Sequence, residues 1–62
     1  MGLREIDVLE LLHEGLKNTE ISERLDIAAR TVETHVGNVI SKLGARSRAS
    51  AVRIALSRGL IK

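Results

Sequence analysis

A chain of 62 residues with no Cys, no Pro and no aromatic side chain allows one small domain. Its core must come from Leu, Ile, Val and Ala, with neither a disulfide nor a Cys/His metal cluster to staple it. The formal net charge of +2 hides a division: three basic residues stand against seven acidic ones before position 30, and seven basic residues against Glu33 alone from there on.

That asymmetry is the pattern of a second half facing a polyanion. No apolar run reaches the ~20 residues of a membrane span, and no signal peptide is visible. No nucleophile–base set, paired carboxylates or cofactor loop is present. A soluble, cytoplasmic, non-enzymatic chain without cofactor or metal is expected.

Good helix formers dominate and no stretch alternates with period two, so the chain is predicted to be all-α, one four-helix domain over residues 1–62. The first helix spans about 3–14 and stops at Gly15. Glu5 falls on its apolar side and reads as half of a structural ion pair rather than a catalytic acid; His13 reads as a surface residue. Asn18 is an N-cap candidate opening a second helix over 18–25. Asp26-Ile27-Ala28 forms a tight turn, with Asp26 at a left-handed position where glycine is common. A third helix covers about 29–43 and ends at Gly44. Ser47 caps a fourth, about 48–58, which ends at Gly59.

A short helix, a three-residue turn and a longer helix place Ile21, Leu25, Ile27 and Val32 where a helix-turn-helix needs its internal contacts. Ser22 supplies the small residue at the close approach. On the third helix, Val32, Val36, Val39, Ile40 and Leu43 form one apolar stripe. Opposite them lie Arg30, Thr34, Gly37, Asn38 and Ser41, a short-chained and nearly uncharged face. Such a face can approach the floor of a DNA groove. On the fourth helix, Ala51, Val52, Ala55 and Leu56 are expected to face the core. Ser50, Ile54, Ser57 and Ile61, with Arg58 beside them, form a second line suited to a symmetric helix contact.

These residues resemble the DNA-binding domain of the LuxR family, also called GerE- or NarL-type. The resemblance runs through Arg4-Glu5, Val8-Leu9, Leu12 and Glu14-Gly15; through Asn18, Glu20-Ile21 and Leu25; and through Thr31-Val32, His35-Val36, Asn38 and Lys42-Leu43-Gly44. It continues through Ser47-Arg48, Ala51-Val52, Ala55 and Gly59-Leu60. It implies a compact four-helix domain whose third helix enters the major groove and whose fourth forms a dimer contact. It further implies an effector domain of a longer bacterial regulator, with a fused sensor or receiver domain and RNA polymerase as partners. Four positions depart from the family pattern: Gly2 replaces a frequent Thr, Ala28 a frequent Ser N-cap, Glu33 a usual Lys, and Gly37 stands in mid-face.

Double-stranded DNA is therefore the expected partner. Glu33, Thr34 and Asn38 are the candidate base readers. Asn18, Thr19 and Thr31 are candidate phosphate contacts near helix starts, joined by His35 on the flank of the third helix. Arg30, Lys42, Arg46 and Arg48 are candidate phosphate clamps. Two other readings remain open from the residues alone. One is a promoter-reading module resembling a sigma-factor region. The other is a helical protein-interaction domain, which explains the fourth helix but not the short polar face of the third.

Overall fold

The computed structural model describes residues 1–62 as four helices in chain order: α1 (Leu3–His13), α2 (Asn18–Leu25), α3 (Ala29–Leu43) and α4 (Arg48–Ser57). The first and last end one residue earlier than the sequence suggests, a difference ordinary for fraying helix ends. The four pack into a body of 28 × 20 × 18 Å.

Each helix stops in the same way. The amide of Leu16 donates to the Leu11 carbonyl, Ile27 to Ser22, Ala45 to Ile40 and Leu60 to Ala55, at 2.9–3.1 Å. This six-to-one closure needs a left-handed residue just before the donor. Gly15, Gly44 and Gly59 fill that place three times; Asp26, at φ 55°, fills it after α2. The donors are themselves apolar, so each turn folds back onto the core: Leu16 and Ile27 onto one cluster, Ala45 and Leu60 onto the other.

Helix starts are less uniform. Neither Gly2 nor Lys17 has a side-chain acceptor for its helix, but three residues on a carboxylate reaches back. Glu5 Oε1 accepts the Gly2 amide at 2.9 Å and Glu20 Oε1 accepts the Lys17 amide at 2.7 Å. The α2 cap is thus Lys17 rather than Asn18, which is the first helical residue. Ser47 caps α4 as expected, its Oγ accepting the Ser50 amide at 3.1 Å. Ala28 precedes α3 with no side-chain bond at all.

The core divides in two. Val8, Leu11, Ile21, Val32 and Val36 form one cluster; Leu9, Val39, Leu43, Ala51, Ala55 and Ile61 form the other. Both draw on α1 and α3, so these helices are the spine, with α2 clipped to one end and α4 to the other. Two expectations for α4 fail here. Ile61 lies past the helix end and is only 4% exposed within the second cluster, so it is core and not dimer surface. Leu56, expected inside, is 38% exposed. The α4 helix is turned about its axis from the expected pose: Ala51 and Ala55 stay inside, Ile54 packs against the cluster, and Leu56 turns out.

Candidate nucleic-acid interface

The α3 stripe of Val32, Val36, Val39 and Leu43 is buried, which fixes the helix's rotation about its axis. The opposite arc is consequently outside: Arg30, Thr31, Glu33, Thr34, Gly37, Asn38 and Ser41 are all exposed. At 100° per residue, Thr34, Gly37 and Ser41 run down its middle, with Glu33 toward one margin and Asn38 and Thr31 toward the other. The three candidate base readers therefore share one accessible face. His35 is half-buried at its flank.

The α3 start adds donors that side-chain reading missed. With Ala28 lacking an acceptor and no acid in the first turn, the amides of Ala29 and Arg30 keep no partner in the helix. The Thr31 and Val32 amides already bond the Ala28 carbonyl. Free amides, the Arg30 side chain and the Thr31 hydroxyl together suit a phosphate oxygen. At α2 the Glu20 carboxylate already sits against the positive helix end, which weakens the anion attraction of the Asn18 and Thr19 amides. Asn18 is half-buried, and its Oδ1 is enclosed without a hydrogen-bond partner. Thr19 is exposed.

Among the candidate cations, Arg30, Arg46 and Arg48 are exposed and form no ion pair. Lys42 is different. Its Nζ donates to both carboxylate oxygens of Glu5, at 2.9 and 3.0 Å. Lys42 is thus the partner that the Glu5 side chain needed, and it bolts α3 to α1 rather than standing as a free phosphate clamp. Glu5 is 6% exposed. The Lys42 hydrogen bond, then the Gly2 amide, hold its carboxyl below the ordinary value of 4.5, against the burial that acts to raise it.

On α4, Ser57 and Arg58 are exposed, whereas Ser50 and Ile54 are half-buried and Ile54 packs against the second cluster. The outward arc is centred on Arg53, flanked by Ala49 and Leu56 on one side and Ser50 and Ser57 on the other. No helix is long and apolar enough to cross a membrane.

A chain with this fold and face has relatives. The family model for bacterial regulatory proteins of the luxR family matches residues 2–55. The C4-dicarboxylate transport transcriptional regulatory protein DctR of Rhodobacter capsulatus is 50% identical over 50 residues, 81% of this chain and 25% of that protein. The oxygen regulatory protein NreC of Staphylococcus aureus is 37% identical over 62 residues, 100% of this chain and 29% of that protein. The chain thus spans between a quarter and a third of the length of these curated relatives.

Solved structures agree. The transcription factor GerE superposes with a TM-score of 0.95 at 32% identity, covering 100% of this chain and 92% of GerE. The response regulator ChrA of a heme-sensing two-component system superposes at 0.93 with 38% identity, over 97% of this chain and 30% of ChrA. The buried α3 stripe, the exposed short-chained face behind the α2–α3 turn and these matches lead to one statement: the chain is a helix-turn-helix DNA-binding domain belonging to the luxR family of bacterial regulatory proteins.

Proposed function

We propose that the domain lays α3 in the major groove, with Glu33, Thr34 and Asn38 reading base edges. Arg30, Arg46 and Arg48 neutralise flanking phosphates, helped by Thr31, His35 and the amides at Asn18 and Thr19. One observation carries this reading: the exposed arc of α3 is made of short, nearly uncharged side chains, with its free cation, Arg30, at the helix start. A solvated helix face is ordinarily rich in Lys and Glu; a bare one fits between phosphate ridges.

Two copies pair along an arc of α4 that takes in half-buried Ser50 and Ile54 and exposed Ser57 and Arg58, and engage paired half-sites. On the likeness to ChrA, a response regulator, a fused receiver or sensing domain and RNA polymerase are proposed as partners in transcription control.

Titration of mixed-sequence duplex DNA across a salt series tests the reading. Three phosphate-neutralising arginines give a slope of about −2.7 in log K against log salt, at ~0.9 per phosphate. Amide shifts on duplex addition concentrate in residues 28–41. Absence of binding at low salt, or shifts confined to α4, would defeat it.

A further inference from the structure

Gly37 has no explanation inside the domain. Three of the other four glycines hold positive φ, and a Cβ at Gly2 would come within 3.4 Å of Glu5 Oε1; Gly37 has helical backbone, and a Cβ there would meet nothing within 4 Å. Glycine in a helix interior destabilises it relative to alanine. The fold neither needs this residue nor gains from it, so its use lies with something that approaches from outside.

One turn earlier on the same line, Thr34 donates its hydroxyl proton to the Arg30 carbonyl at 3.2 Å. A threonine hydroxyl carries one proton. With it spent on the preceding turn, Thr34 has no hydrogen to give to guanine O6 or N7, or to thymine O4. What it keeps for a partner is a hydroxyl oxygen that can still accept and its γ-methyl, on the same exposed face as the bare Cα of Gly37 three residues on.

Resting on the groove reading above, we propose that Thr34 and Gly37 together form a shallow apolar seat for the 5-methyl group of one thymine. The Thr34 methyl makes the wall and the absence of a Gly37 side chain makes the room. Thymine is the one base that presents a methyl in the major groove, so the pair specifies T·A at that step by contact rather than by hydrogen bonding.

The test uses this 62-residue chain and a duplex it selects from a random library, rebuilt with deoxyuridine at each thymidine in turn. Burying one methyl is worth ~0.8 kcal/mol, or about a fourfold change in affinity. One thymidine-to-deoxyuridine change is expected to cost the wild type about fourfold. Thr34→Val, which keeps the methyl and drops the hydroxyl, retains both affinity and that sensitivity. Thr34→Ser, which does the reverse, binds about fourfold more weakly and no longer distinguishes the two bases. Gly37→Ala unfolds at higher temperature yet binds more weakly.

Retention of affinity by Thr34→Ser with loss in Thr34→Val overturns the proposal, because the hydroxyl would then be the reader. So does a wild type indifferent to every single deoxyuridine, or a Gly37→Ala that binds as well as the wild type. A wild type that binds no duplex at low salt overturns the groove reading itself, a result distinct from these.

Discussion

The Glu5–Lys42 contact shows how one side chain's role is decided by another far away in sequence. Glu5 was legible as an ion-pair partner because a carboxylate on an apolar helix face must be satisfied. Its partner was not legible, because Lys42 lies 37 positions on and stands among exposed cations that look alike in sequence. Since the folded carboxyl titrates below its ordinary 4.5, its stabilising effect is complete above that value. It is lost as pH falls through the lowered one. Lys42→Met is expected to lower the urea midpoint at pH 7, to raise the Glu5 titration seen by carbon-13 NMR, and to flatten the fall in stability as pH drops below 4.5. An unchanged Glu5 titration would refute the coupling. Lys42→Met should also leave the salt slope of DNA binding unchanged, whereas Arg48→Met lowers it by about 0.9.

At the scale of elements, the α2–α3 turn holds the two least comfortable residues of the chain. Asp26 takes a left-handed conformation that the other three helix ends give to glycine, and Ala28 caps α3 without an acceptor. The sequence announced both, since the turn type demands a left-handed residue and the helix start demands a side-chain oxygen. Asp26→Gly is expected to stabilise the domain by about 1 kcal/mol. Ala28→Ser is expected to add a similar ~1 kcal/mol. Both are exposed, so little packing changes, and chemical denaturation measures each gain. A loss of stability in Asp26→Gly would show that the aspartate side chain anchors the turn.

For the whole molecule, the acidic α1–α2 half and the basic α3–α4 half give the domain an electrostatic polarity that orients it toward a polyanion. The proposed pairing along α4 belongs to this scale too. Ser57→Arg puts a bulky cation on an exposed edge of that arc without touching the core. The expected outcome is loss of cooperative binding to a duplex with two half-sites, with affinity for a single half-site unchanged. Equal cooperativity in variant and wild type would exclude that edge as the contact. Ile54 is the poorer probe, because it packs against Ala51 and Ala55's cluster and its replacement disturbs folding as well.

Local rules were enough for the number of helices, their ends to within a residue, and the rotation of α3. Left-handed stop residues act within one turn, and the valine stripe points inward whatever it meets. The outward position of Glu33, Thr34 and Asn38 followed from that stripe alone. Only tertiary packing decided that Lys42 answers Glu5, that Ile61 returns to the core past the end of α4, and that Leu56 turns out. The first depends on how α1 lies against α3, and the other two on how closely α4 approaches both; the packing of Leu9, Val39, Ala51 and Ala55 from three helices is a property no single helix carries.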